Sequence, residues 1–401
     1  MDTPPANAAL PLDQALPLGI ALPLGTTLPP GSGLPLRLIP TPVQDPSPVP
    51  TPVPSPFRAA PLSFFGLTAD EVRTVLAEAG WERFRADQLL DWVYRKRTRT
   101  PGAMSNLSKK QRESLPALFD LGLPRVARLL KSPREDAYKF ALELRDGTRV
   151  ESVAMLSRRG VTLCLSTQAG CGMACVFCAT GTLGLKRNLR ADEIVAQVVR
   201  MLEATGWDDP GYNLVFMGMG EPLANYGPTL KAIRILNSDD GLRVGARRIT
   251  LSTCGLVPQI HRLAREGLQV GLAISLHATT DDLRSQLVPI NRRYPLRELV
   301  RAAAYYAETT SRRVTLEYIL LAGVNDGKHD AERLAEIANS LPCKINLIPY
   351  NPVPQLPWQR PTNEAIQRFA DHLFPRCPAV TLRWSQGGEI WAACGQLGAK
   401  A

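Results

Sequence analysis

Three cysteines supply the chain's most specific chemistry. They lie at Cys171, Cys175 and Cys178 in the run Gln168-Ala-Gly-Cys-Gly-Met-Ala-Cys-Val-Phe-Cys-Ala-Thr-Gly181. A [4Fe–4S] cluster has four irons and normally takes four thiolates, so a three-cysteine loop leaves one iron open to an external ligand. Structural zinc closes four-coordinate with Cys or His. No His lies near this loop, so a zinc knuckle short of one ligand fits less well. Phe177, inside the loop, would shield a cluster from water.

Further polar groups recur where apolar runs end. Met217-Gly-Met-Gly-Glu-Pro222 has two glycines that permit close backbone approach, followed by the acid Glu221. Ser252 and the run Ser275-Leu276-His277 offer small polar groups suited to ribose hydroxyls, and Asn351 in Pro349-Tyr-Asn-Pro352 is suited to an adenine edge. A free Cys is usually inert packing, which suffices for Cys254, Cys343 and Cys377. It does not suffice for Cys394, because Ala-Ala-Cys394-Gly-Gln-Leu397 reads as a loop outside any core period. Cys164 lies on an apolar run seven residues before Cys171.

The elements that must position these groups follow from periodicity. From Val161 onward, short apolar runs (161–166, 213–217, 249–252, 270–276, 314–319, 345–348) alternate with amphipathic segments (191–204, 229–236, 257–266, 296–308, 330–340). Units of this kind imply an α/β fold with a parallel sheet and right-handed crossovers, here an incomplete (βα)6 barrel. Polar motifs then fall in loops after the strand C-termini, where such barrels place their ligands.

Ahead of the barrel, Tyr138 to Leu144 and Arg149 to Met155 alternate like a hairpin around Asp146-Gly147. A helical module precedes it, opened by the capping box Thr68-Ala-Asp-Glu71 and edged by Arg95-Lys-Arg-Thr-Arg99 and Ser108-Lys-Lys-Gln-Arg112. The first residues are Pro-rich and cannot build a core. The expected division is a disordered extension over 1–60, a helical accessory module over 61–130 and a hairpin connection over 131–160. The barrel follows over 161–352, and a C-terminal helix, strand and cysteine loop over 353–401.

Lys+Arg 47 against Asp+Glu 37 gives a net charge of +10 in 401 residues, which favours a polyanionic partner. No apolar run approaches the roughly 18 residues of a membrane span, and no basic n-region precedes the N-terminal apolar stretch. Eight cysteines with three in a metal-type loop suit a reducing compartment rather than a disulfide scaffold. A cytoplasmic protein without membrane attachment is expected.

Between about Leu62 and Leu397 the chain resembles the RlmN-type family of radical S-adenosylmethionine (SAM) methyltransferases, which make 2-methyladenosine in 23S ribosomal RNA and in transfer RNA. The resemblance rests on Asp146-Gly-x-Arg-Val-Glu-Ser-Val153, Leu163-Cys-Leu-Ser166 with the cysteine loop, Arg187-Asn-Leu-Arg190, Gly-Met-Gly-Glu-Pro-Leu, Ser-Leu-His-Ala and Ala-Ala-Cys-Gly-Gln-Leu. It implies a [4Fe–4S] cluster on Cys171, Cys175 and Cys178 that chelates SAM, with Gly220 and Glu221 facing the cofactor's methionine end. Two SAM molecules are implied per turnover. One methylates the Cys394 thiolate, and the other yields a 5′-deoxyadenosyl radical that abstracts hydrogen from that methyl group.

The family also implies Glu151 as the base that removes the adenine C2 proton, and Cys164 as the thiol that frees the product through a transient disulfide with Cys394. The implied partners are 23S rRNA, tRNA and an electron donor such as flavodoxin, acting on a monomer. RNA phosphates would meet the basic module and Lys186, Arg187, Arg190, Arg247, Arg248, Arg292 and Arg293. The same motifs serve the sister activity of the Cfr type, which methylates carbon 8. A non-catalytic iron–sulfur RNA-binding protein is the reading from another class, in which Cys164 and Cys394 would have no purpose.

Overall fold

Helix α1 (Ala69–Glu78) begins where the Thr68 pattern puts it, with Glu71 N donating to Thr68 Oγ1 and Thr68 N donating to the Glu71 carboxylate. The computed structural model describes residues 60–158, 160–207, 211–377 and 379–398. The Pro-rich extension, up to residue 59, lies outside them. Helix α2 (Arg83–Leu90) runs into a wider turn at Asp91–Arg95, and α3 (Lys109–Leu118) is capped by Ser108 with Gln111. Strands β1 (Leu62–Ser63) and β2 (Phe119–Asp120) pair in parallel and close this module over Phe64, Phe65, Tyr94 and Phe119.

The basic run of the module was expected to grip RNA, and the structure uses three of its arginines differently. Arg95 donates to Asp239 O, Arg97 to Trp207 O and Arg99 to the Glu203 carboxylate. Arg73 adds an ion pair to Asp240. These guanidinium groups fasten the module to the α/β body, because carbonyls and carboxylates on that body lie within their reach. Lys109 remains 85% exposed on the side chain.

The body is one sheet of ten strands. Strands β3 (Arg125–Lys131), β4 (Ala137–Glu143), β5 (Arg149–Ser157) and β6 (Gly160–Cys164) pair antiparallel in sequence order. The β4–β5 hairpin turns where the Asp-Gly pair put it. Strand β3 was not expected, and the boundary placed at 130/131 falls inside it. Its Arg-Val-Ala-Arg-Leu-Leu-Lys sequence lacks clean alternation because, as the edge strand, it is largely exposed on both faces.

After β6 comes a two-stranded excursion, β7 (Gln168–Gly170) and β8 (Leu185–Asn188), with the short α4 (Ala179–Thr182) between them. The sheet then continues in parallel through β9 (Asn213–Phe216), β10 (Ile249–Thr253), β11 (Gly271–Ser275), β12 (Val314–Leu320), β13 (Cys343–Pro349) and β14 (Val380–Leu382). Between strands lie α5 (Ala191–Thr205), α6 (Tyr226–Asn237), α7 (Val257–Ala264), α8 (Asp281–Leu287), α9 (Leu296–Thr310), α10 (Lys328–Asn339) and α11 (Asn363–Leu373). β14 adds a seventh parallel strand to the six expected. All seven residues of β12 are buried, as a parallel strand covered on both faces requires.

The sheet curls. Six strand spacings separate β14 from β6, about 29 Å if flat. Yet Arg383, the residue after β14, reaches to 3.9 Å from the Met217 sulfur just past β9 and feels the charge of Cys164 at the end of β6. Among the described residues no helix is long and apolar enough to cross a membrane.

Gln197, fully buried on α5, locks the hairpin to the first parallel strand. Its Oε1 accepts from Ser152 Oγ at 2.7 Å and Ser166 N at 2.9 Å, and its Nε2 donates to Ser166 O and Glu193 O. Gln197→Leu orphans several buried groups at once and should lower unfolding free energy by about 2–5 kcal/mol. Urea titration measures this, and an unchanged midpoint would contradict the role given to Gln197.

Candidate active site

The cysteine loop is framed before it begins. Gly170 has φ +79 and packs so tightly that a Cβ there would lie 1.9 Å from Gly184 O, while Cys171 N donates to that same carbonyl. From outside, Val176 N donates to Leu287 O, and Val176 O accepts from Trp358 Nε1 at 2.9 Å. Phe177 is buried and meets the His277 ring edge-on at 4.9 Å.

Burial pushes the Cys171 thiol up to about 12 and raises Cys175 and Cys178 as well, and neighbouring cysteines of the loop add to the rise at Cys171 and Cys175. For Cys178 the burial effect dominates. Thiols in such surroundings hold their protons until a metal cation replaces them. A cubane takes its thiolates on separate irons, so its ligands surround a volume instead of meeting at a point. Among the described residues, no group of three or more His, Cys, Asp or Glu converges as a single-ion site would. Three buried loop thiols near enough to raise one another's pKa, with no His near the loop, suit a cluster that leaves one iron open.

Around the loop, the strand-end residues are largely satisfied by the protein itself. Gly220 has φ +100, and a Cβ on it would lie 2.5 Å from the Gln168 side chain. The buried Glu221 accepts Leu223 N at 3.0 Å on one oxygen and Cys254 N at 2.9 Å on the other, and burial raises its pKa. Ser252 and Ser275 face each other with hydroxyls 3.4 Å apart. Leu276 presents its backbone N–H to Glu317 O. His277 sits at φ +61, and its Nδ1 accepts Ile319 N at 3.1 Å. Asn351, expected at an adenine edge, directs its amide N–H groups to Ser385 Oγ at 2.9 Å and Cys394 O at 3.2 Å.

A buried guanidinium that the sequence did not reveal braces these ends. Arg284 donates to Cys254 O, Ser275 O, Leu276 O and Asn291 Oδ1.

The three residues expected to react lie together. Strand register places Lys139, Val153, Cys164 and Val215 in one row across β4, β5, β6 and β9. Glu151, two residues before Val153, therefore shares their face. Burial, with Cys394 beside it, pushes the Cys164 thiol up to about 12, and Arg383 opposes the rise. The charge of Cys394 is the largest influence raising Arg383, followed by Glu317 and Cys164. Glu317 is buried, with Asn346 on one oxygen and no hydrogen-bond partner for the other among the described residues.

Glu151 Oε2 accepts from the buried Lys139 Nζ at 2.9 Å and from Gly398 N at 2.6 Å. The segment carrying Cys394 is tied along its length, with Gly395 O accepting Ala179 N, Leu397 O accepting Thr180 Oγ1, and Gln396 Nε2 donating to Pro352 O. Lys139 and Arg383 were missed by sequence reasoning. The hairpin alternation could have flagged Lys139, whereas Arg383 depends on the curl of the sheet.

Two arginines expected to face RNA phosphates are paired within the protein. Arg187 holds Asp146 at 2.7 Å and Glu193 at 2.8 Å, and Arg190 holds Asp192 at 3.0 Å. They secure β8 and the start of α5 because carboxylates at those ends offer bidentate partners.

Known proteins resemble this chain over most of its length. Residues 165–336 match the family described as the radical SAM superfamily, and residues 62–121 match the ribosomal RNA large subunit methyltransferase N-terminal domain. A probable dual-specificity RNA methyltransferase RlmN from Dictyoglomus turgidum is 44% identical over 329 residues, spanning 82% of this chain and 94% of that protein. The chain belongs to the RlmN family of radical SAM methyltransferases. An RlmN relative from Opitutus terrae is 47% identical over 83% of this chain and 93% of its own length. A crystal structure of a radical SAM methyltransferase from Sphaerobacter thermophilus superposes with a TM-score of 0.80 at 46% identity, covering 85% of this chain and all of that one. As an RlmN family member the chain is a radical SAM RNA methyltransferase, with a [4Fe–4S] cluster and SAM as cofactors.

Two predictions arise from this geometry. Lys139→Met leaves the Glu151 charge without its buried partner and should cost about 2–4 kcal/mol of stability. Adding Glu151→Gln should recover much of that loss, and strictly additive losses in a double-mutant denaturation cycle would refute the pairing. The second concerns His277, whose burial pushes its pKa down to about 3. The folded chain keeps this imidazole neutral while the unfolded chain gains a proton below about pH 6.5, so its stability contribution is complete above that pH. It falls by about 1.4 kcal/mol per unit as the pH drops from 6.5 toward 3. His277→Asn keeps an acceptor and tolerates positive φ, so its stability should fall less steeply between pH 6.5 and 5. Identical slopes for the two proteins would overturn the assignment.

Proposed function

We propose that the chain methylates carbon 2 of adenosine in 23S rRNA and in tRNA by way of a methyl group carried on Cys394. The observation that carries this reading is the meeting of Cys164, Cys394 and Arg383 beside the cysteine loop, although these residues lie far apart in sequence. Packing alone gives no reason to set a guanidinium between two thiols. The relatives' names support the RlmN activity over the carbon-8 and non-catalytic alternatives.

When bound on Cys171, Cys175 and Cys178, the cluster with SAM supplies the methyl group and the 5′-deoxyadenosyl radical. The chain's own residues do the rest. The Cys394 sulfur, with the Arg383 guanidinium beside it, takes the methyl group by displacement. Asn351 holds the Cys394 carbonyl and so aims the side chain. Loss of one hydrogen atom from the S-methyl leaves a carbon radical that bonds to adenine C2, linking protein to RNA. Glu151, with Lys139 beside it, accepts the C2 proton once its bond to Gly398 N opens. Once the adduct's unpaired electron has passed to the redox centre that Cys171, Cys175 and Cys178 would hold, the Cys164 thiolate attacks the Cys394 sulfur; a disulfide forms as the S–C bond breaks, the released carbon takes the proton that Glu151 removed, and methylated RNA leaves. Gly220, Glu221, Ser252, Ser275, Leu276 and His277 would shape the SAM pocket.

In this reading residues 61–130 form an accessory module, 131–160 carry the base, 161–352 form the barrel and 353–401 carry the methyl-bearing cysteine. Lys186, Arg247, Arg248, Arg292 and Arg293 are rim cations for phosphate, with Arg187 and Arg190 beside them in their carboxylate pairs. A flavodoxin-like donor reduces a cytoplasmic monomer.

Cys164→Ala should trap a covalent protein–RNA species because no thiol resolves the link, and Cys394→Ala should give neither methylation nor a covalent band. Denaturing gels with labelled RNA, together with nucleoside mass spectrometry, read both. Free 2-methyladenosine from Cys394→Ala would sink the relay.

A further inference from the structure

An exposed indole lies one residue from Arg383, the guanidinium that faces both thiols. β14 ends at Leu382, and residues 383–385 continue without regular structure. Arg383 faces Cys394 and Cys164, while Ser385 Oγ accepts the Asn351 amide that also holds Cys394 O. Trp384 lies between these two inward residues and is 52% exposed, pointing outward as alternation in an extended chain requires.

The Arg360 guanidinium lies over the indole, 5.1 Å from the ring centroid. Arg360 is itself anchored near the cluster loop, since Trp358 donates to Val176 O and Gln359 O accepts Ala322 N at 2.9 Å. Two separate segments, each tied to the reaction centre by hydrogen bonds, thus bring a flat aromatic ring and a cation together at its rim. Other exposed aromatics, Phe84 at 50% and Phe374 at 45%, belong to α2 and the end of α11 and lack this continuity with the thiols.

We propose that Trp384, backed by Arg360, is a stacking platform for the nucleobase next to the target adenosine in the substrate RNA. An adenosine reaching the Cys394 methyl group must leave its stack, which uncovers a face of its neighbour. Aromatic rings and guanidinium planes are the side chains that receive unstacked bases, and a cation beside them meets the adjoining phosphate. This inference rests on the reading of the chain as an enzyme that extrudes an RNA adenosine.

The test uses the full chain and a fluorescently labelled stem–loop RNA carrying the target adenosine in its loop. Two further RNAs are abasic at the 5′ or the 3′ neighbour. Trp384→Ala should weaken binding of the intact RNA by roughly five- to one-hundred-fold, the range of one base stack. Trp384→Phe should keep most of the affinity, and Arg360→Ala should lose less than Trp384→Ala. One abasic RNA should bind the wild-type protein about as weakly as intact RNA binds Trp384→Ala, with no further loss when the two changes are combined. Thermal unfolding of each variant checks the fold.

Unchanged affinity of Trp384→Ala, or an equal loss on the intact and both abasic RNAs, would overturn the platform. Unchanged RNA affinity with slower reduction by an acidic flavoprotein would assign the indole to the electron donor and overturn it too. A missing covalent band with Cys164→Ala would instead strike the cysteine relay, leaving the binding cycle readable on its own.

Discussion

The site depends on the placing of one guanidinium, Arg383, whose charge lies against both Cys394 and Cys164. Burial, with Cys394 beside it, pushes the Cys164 thiol up to about 12, and Arg383 opposes that rise. Placing the guanidinium there requires the last strand to approach the first parallel one, so the curl of the sheet is a condition of the chemistry. The parallel strands and their covering helices can be read as the means of holding that curl. The buried carboxylate of Glu317 adds a counter-charge to Arg383 beside those of the thiols.

The mouth of the sheet is built with little slack. Glu221, His277, Arg284 and Asn351 bond to backbone or side-chain groups of the protein. Such satisfaction keeps buried polar groups from competing for a ligand at random. It leaves the paired hydroxyls of Ser252 and Ser275 as the less committed groups at the strand ends. Pre-organisation of this kind lowers the ordering cost at the moment of binding.

Much of this was legible in the sequence, for physical reasons that also explain the rest. The capping box at Thr68 and the Asp146-Gly147 turn are local, and local rules located them. Alternation of apolar runs with amphipathic segments gave the parallel units, because a strand buried on both faces has no other way to be written. Strand β3 escaped because an exposed edge has no pattern to keep. The fates of Arg95, Arg97 and Arg99 escaped because a cluster of cations reads alike whether it faces RNA or the protein's own carbonyls. Arg383 escaped because its significance depends on a contact across six strand spacings.

The row formed by Lys139, Val153 and Cys164 also bears on how this chain tolerates change. Side chains on a strand alternate with a period of two, so slipping the β4–β5 pairing by one residue would put Lys139 and Glu151 on opposite faces and break their ion pair. Surface turns ordinarily accept insertions and deletions, but the tight turn at Arg145–Thr148 sets this pairing. Its residues are therefore free to drift among those that suit the turn, while its length is locked by a carboxylate several residues away.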